Sequence, residues 1–301
     1  MIVPGEVLAL MAALFWSIAV VIFKSLTQKI SPFLINALKN TIALFCFIIT
    51  LSLLKIPLLN LTFTNEEYTK FIISGLLGMG IADAIFIYSL SKIGANRIAI
   101  LNCFEPIAVY CFTFFLLGTS LSTLESIGFI IVIISILVIS YEKDQDDIDP
   151  KVKRQGILLQ ICAILCSALS MVMIKDILNL HRSDVNSIIW IAVFRLFIGF
   201  IASWAIFLCL KNTTKLLAAI KEKTILIKVI TSSVFGTFMA LGCWMMGQAY
   251  IEKLPLASIL GQTALIFILI FSWLFLNEKI TKVRIIASVF ALLGVFLSNY
   301  F

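Results

Sequence analysis

In the stretch Asn102-Cys-Phe-Glu-Pro-Ile107, a carboxylate followed by a proline interrupts an apolar run. Proline lacks the N–H that would bond the carbonyl four residues back, so Pro106 frees the Asn102 carbonyl and predicts a structural kink. The Asn102 amide and the Glu105 carboxylate, three residues apart, share one helix face. Such an acceptor-rich notch suits an ammonium group or a proton. Asp83, which closes the glycine-rich run "GLLGMGIAD", and Arg195 also lie deep in apolar runs, and Lys39 sits about two turns into another. A charge at the bilayer centre costs at least ~2.5–3.5 kcal/mol on insertion scales, so these side chains should face a cavity or a partner. Two readings stay open. Glu105 or Asp83 would bind an amine or a proton while Arg195 or Lys39 binds a carboxylate, as a zwitterion would require, or the same residues pair with one another and pin helices together.

Neutral polar groups occupy the corresponding level of the second half: Gln248, Ser258, Gln262 and Thr263, with Ser258 and Gln262 four apart on one face. Trp16 and Trp244 are the aromatics deep enough to stack a ligand or hold a cation over a ring face. Lys24, Lys92 and Lys175 lie near the ends of their runs, where a lysine can reach the interface as an anchor.

These residues need long membrane helices to position them. Of 301 residues, 61% are hydrophobic and 13% charged, far from the balance of a water-soluble domain. Ten apolar runs approach the ~20 residues a spanning helix needs. They cover residues 6–27, 32–54, 69–91, 95–118, 122–141, 156–179, 185–210, 225–250, 255–277 and 281–301, which predicts an all-α polytopic protein of the cell (inner) membrane. The first run lacks a basic leader and a small-residue cleavage site, and reads as a retained helix. All seven cysteines fall inside apolar runs and His181 is the only histidine, so no disulfide framework, metal site or cofactor is expected. Lysine and arginine concentrate in the odd-numbered connections, such as Lys151, Lys153 and Arg154 or Lys211, Lys215, Lys221 and Lys223. That pattern suits anionic lipid heads rather than nucleic acid, and it would place both termini outside.

The most polar stretch, residues 142–155, divides the chain near its midpoint, and the two sides repeat. From Gly5 and from Gly156 the sequence aligns without gaps, matching Ala12 with Ala163 and Lys24 with Lys175. A second block matches Gly78 with Gly236 and Ala99 with Ala257. Residues 1–141 and 156–301 thus read as two copies of a five-helix unit joined by a polar linker. An odd number of crossings inserts the second copy upside down, and inverted repeats are a common architecture of carriers working by alternating access.

Both halves resemble EamA domains of the drug/metabolite transporter superfamily. The resemblance rests on a first helix ending in a basic residue (Lys24, Lys175), preceded in the first half by "LFWS" with Trp16. It rests also on a second helix with a basic residue (Lys39, Arg195), and on "YSLSKIGANRIAIL…EP…LLGTSLS" beside "QAYIEKLPLASIL…FLNEKIT". Departures are specific. The acid of the family's "LGE" ending is Thr119 in the first half and Glu278 in the second, and Glu105-Pro106 becomes Thr263-Ala264. The resemblance implies cytoplasmic termini, against the charge pattern, so sidedness stays open. It also implies a secondary transporter, monomeric or homodimeric, that moves a small polar metabolite such as an amino acid, often outward. Proton coupling, exchange and facilitated diffusion are all compatible, and no ATP-binding loop is present. A receptor or assembly factor on the same scaffold is the alternative. An intramembrane enzyme ranks last, because no nucleophile–base set or paired aspartate motif occurs.

Overall fold

The computed structural model describes residues 4–59, 62–117, 122–141, 148–211, 213–218, 220, 222–251 and 260–300. The first half contains α1 (Gly5–Thr27), α2 (Pro32–Leu53), α3 (Asn65–Gly75), α4 (Asp83–Ile93), α5 (Ala95–Asn102), α6 (Glu105–Leu117) and α7 (Thr123–Tyr141). The second contains α8 (Pro150–Leu180), α9 (Val185–Leu208), α10 (Thr213–Ala218), α11 (Lys223–Ser233), α12 (Ala240–Tyr250), α13 (Ala264–Leu276) and α14 (Lys282–Tyr300). A π-helical segment, Leu76–Ala82, joins α3 to α4, and another, Val234–Met239, joins α11 to α12.

Local sequence sets the helix ends. Pro32 and Pro150 stand in the first turn of α2 and α8, where a missing N–H costs nothing. Thr64 and Glu67 form a reciprocal capping box at α3, and Asp149 and Asp184 cap α8 and α9. α8 begins at Pro150, so it takes up the last part of the polar segment 142–155. Gly94, at φ +82°, ends α4 in a conformation that L side chains rarely adopt and turns the chain into α5.

Within the described residues, each of the ten apolar runs coincides largely with helix. Among the described residues, seven stretches are long and apolar enough to cross a bilayer: α1, α2, Asn65–Ile93, Ala95–Phe114, α8, α9 and Lys223–Tyr250. α7, α14 and the shorter apolar helix Leu260–Leu276 account for the other three. Large apolar side chains such as Phe45, Phe197, Trp273 and Phe290 face outward, as lipid-facing surfaces do, while small and polar ones turn inward.

The halves interlock reciprocally. α1 packs on α12 and α13 of the other half, and α8 packs on α4 and α6; α2 lies against α9 and α7 against α14. Close approach depends on glycine, since lipid supplies little hydrophobic drive between helices. A Cβ on Gly75 would stand 2.4 Å from the Arg195 carbonyl oxygen, and one on Gly294 would stand 2.7 Å from the carbonyl of Gly128.

Candidate functional site

The two π-helical segments begin at Leu76 and Val234, positions that correspond in the repeat that matches Gly78 with Gly236. A π turn shifts the backbone ladder and leaves carbonyls in search of donors, and such turns recur at functional sites. In the first half the side chains of α2 answer that need. Asn40 Nδ2 donates to the Met79 carbonyl at 3.1 Å, and Asn36 Nδ2 donates to the Gly80 carbonyl at 3.1 Å. Asn40 also reaches the Gly199 carbonyl and Ser203 Oγ, both at 3.3 Å, which ties the π segment to α9.

The fourth run is interrupted as Pro106 predicts. α5 ends at Asn102, the turn passes through Cys103 and Phe104, and α6 opens on Glu105. Its counterpart in the second half breaks at the matching place, Thr263, without a proline: Thr263 Oγ1 donates to the Leu260 carbonyl at 2.6 Å.

Between the halves these irregular segments surround a cavity of about 250 Å³. The first half contributes Trp16, Lys39, Asp83, Asn102 and Glu105 to its wall; the second contributes Arg195, Trp244 and Gln262. Eight of the residues singled out in the sequence therefore meet in one place. Gln160, Ser167, Ser170 and Thr237 line it too and were missed, being lone short polar residues in apolar runs. The repeat held one usable signal, because Ser167 is the position that matches Trp16.

The charges in the wall are arranged unequally. Lys39, 1% exposed, places Nζ 2.6 Å from Asp83 Oδ2 and 2.9 Å from Asn40 Oδ1, while Asp83 is 26% exposed. Arg195, equally buried, makes no ion pair among the described residues; Nη2 donates to Ser170 Oγ at 2.9 Å and Nη1 to Met245 Sδ at 3.3 Å. The Glu105 carboxylate has no hydrogen-bond donor among the described residues. Gln160 Nε2 donates to Asn102 Oδ1 at 2.8 Å across the half-to-half boundary. Three wall residues, Gln160, Thr237 and Arg195, each keep a buried polar atom without a partner: Oε1, Oγ1 and Nε. Buried polar atoms are rarely left so.

The EamA-like transporter model matches residues 3–141 and 154–300, nearly the whole chain in two copies. The chain belongs to the EamA-like transporter family. It is a multi-pass membrane transporter of the drug/metabolite transporter superfamily, and membership sets aside the enzyme alternative. One solved structure, described as "Crystal structure of protein", has a TM-score of 0.71 at 15% identity and covers 98% of this chain and 96% of its own. At that identity it supports the fold alone. No curated protein matched the chain.

Other sequence expectations meet different fates. Gln248 does not line the cavity: it lies near the end of α12, where its carbonyl accepts from Lys175 Nζ at 2.6 Å. Ser258 lies outside the described residues, as does Thr119. Lys175 thus bonds a helix-end carbonyl, as does Lys24, whose Nζ donates to the carbonyls of Leu90 and Ser91 at 3.2 Å. Each first-helix lysine caps the C-terminal end of the third span of its own half, α4 for Lys24 and α12 for Lys175, where the helix dipole favours a cation. Lys92 rests over the Tyr88 ring at 4.7 Å.

Proposed function

We propose that this EamA-family transporter exports a small polar organic metabolite, an amino acid or a related compound, across the cell membrane by alternating access. Residues 1–141 and 156–301 are the two moving repeats, and the cavity between them holds the substrate. The observation that carries the reading is the cavity's composition: charged and amide side chains from both halves converge on one space at the repeat interface. The ring planes of Trp16 and Phe86, with centroids 5.3 Å apart, together with Trp244, supply an apolar wall beside them. Glu105, without a hydrogen-bond donor among the described residues and at the start of a broken helix, is assigned to the substrate's amine or to a coupled proton.

Flux in proteoliposomes tests this. Loaded amino acids should leave vesicles containing wild-type protein, and Glu105→Gln should abolish that flux or its response to a pH gradient while the purified variant stays folded. Unchanged flux and unchanged pH response in Glu105→Gln would remove Glu105 from the site.

A further inference from the structure

The sequence repeat and the ion pair Lys39–Asp83 together single out a missing charge. In the gap-free block that matches Gly78 with Gly236, the residue matching Asp83 is Leu241. The register is structural as well, since the two π segments start at matching positions. Lys39 and Arg195 are the basic residues of the second helix in each half. The first half therefore sets its base 2.6 Å from an acid, whereas the second sets its base beside a leucine.

Leu241 and Arg195 both line the cavity. Met245, one turn beyond Leu241 on the same face of α12, accepts from Arg195 Nη1 at 3.3 Å, so position 241 lies within a helical turn of the guanidinium. The acceptors around Arg195 are neutral: the Ser170 hydroxyl at 2.9 Å, the Met245 sulfur, and the Met171 sulfur at 3.8 Å. Its Nε has no partner among the described residues. Asp83 acts on Arg195 only at a distance and forms its direct ion pair with Lys39. A buried cation with no carboxylate in contact is costly, and a planar guanidinium is the side chain best shaped to bind one through two parallel hydrogen bonds.

We propose that Arg195 anchors a carboxylate on the substrate, which takes the place in the second half that Asp83 occupies in the first. Lys39 is unsuited to that role because Asp83 already neutralises it. The assignment rests on the reading of this cavity as the substrate site, and it adds the group recognised and the residue that recognises it.

The test uses full-length protein and the twenty protein amino acids, each paired with its amide, which keeps the amine and removes the negative charge. Thermal shift of detergent-purified protein reads binding, and proteoliposome efflux reads transport. At least one amino acid should raise the wild-type unfolding midpoint while its amide does not, and Arg195→Gln should weaken that binding ~30-fold or more. Leu241→Asp supplies the missing acid from within, so it should raise the midpoint of the unliganded protein and block the carboxylate. Equal shifts from amino acids and amides, equal binding by Arg195→Gln, or no shift from any amino acid would overturn the proposal. Should Leu241→Asp fail to fold, the amide comparison on wild type and Arg195→Gln still decides. Carboxylate-dependent binding without efflux would leave the Arg195 anchor standing and sink the amino-acid export reading instead.

Discussion

Lys39 Nζ and Asp83 Oδ2 form an ion pair 2.6 Å long that joins α2 to the start of α4, and its two ends are unequally buried. The lysine is enclosed by protein, whereas the aspartate keeps a face on the cavity. Removing either partner therefore has different consequences. Asp83→Asn strands a buried ammonium and should cost roughly 3–5 kcal/mol, the usual loss when one member of a buried pair is deleted. Lys39→Met leaves a carboxylate that can turn to the cavity and should cost less. The double variant should recover most of the Asp83→Asn loss, which a double-mutant cycle on unfolding in detergent will measure.

Glu278 joins the halves at one end of the bundle. Its Oε1 accepts from the Ala95 N–H at 2.8 Å and its Oε2 from the Asn96 N–H at 3.0 Å, so a carboxylate of the second half caps α5 of the first. Asn96 is itself held by a hydrogen bond from Ser272 Oγ. Charge-assisted bonds to free helix N–H groups are among the stronger ones, and Glu278→Ala should cost roughly 2–3 kcal/mol. Glu278→Gln retains one acceptor oxygen and should lose less, a ranking that thermal unfolding will check.

Much of this arrangement could be read from residue order, and the reasons differ by feature. The ten runs were legible because lipid imposes length and apolarity on each crossing. The π segments were not, because the shift in hydrogen-bond register leaves no compositional mark beyond Gly78 and its match Gly236. The helix break at Pro106 was visible in a residue type, while its counterpart at Thr263 depends on a hydroxyl reaching one carbonyl. Among site residues, buried charges announced themselves by their cost. Gln248, four positions along α12 from the wall residue Trp244, is not among the residues lining the cavity, and its backbone carbonyl near the helix end accepts from Lys175.

Asp184, in the connection before α9, accepts from the Asn186 N–H at 3.1 Å and from Ser187 Oγ at 2.6 Å. The Ser187 hydroxyl holds its carboxyl below the usual range, with lesser help from the backbone N–H groups. A depressed folded-state pKa stabilises the protein above the unfolded carboxylate range and ceases to do so as pH falls through the folded value. The contribution is modest, about 1 kcal/mol for a helix cap in an exposed position. Asp184→Ala should therefore lower the unfolding midpoint at pH 7 and make little difference once the solution is acidic enough to protonate the wild-type residue.

The break before Glu105 and the break at Thr263 differ in how they are enforced, and that difference makes Pro106 testable. At Thr263 the hydroxyl satisfies the Leu260 carbonyl, so the interruption is compensated locally. In the first half the proline simply withholds a donor from the Asn102 carbonyl. Pro106→Ala restores that donor and permits α5 and α6 to run together through Cys103 and Phe104, which would swing Glu105 relative to Asn102 and Gln160. The expected result is a folded protein whose efflux falls at least tenfold. Pro106 stands in the first turn of α6, where a missing N–H costs little, so stability should stay close to wild type, whereas a displaced carboxylate costs the site its geometry. Full efflux from Pro106→Ala would show that the broken helix does not position Glu105 for transport.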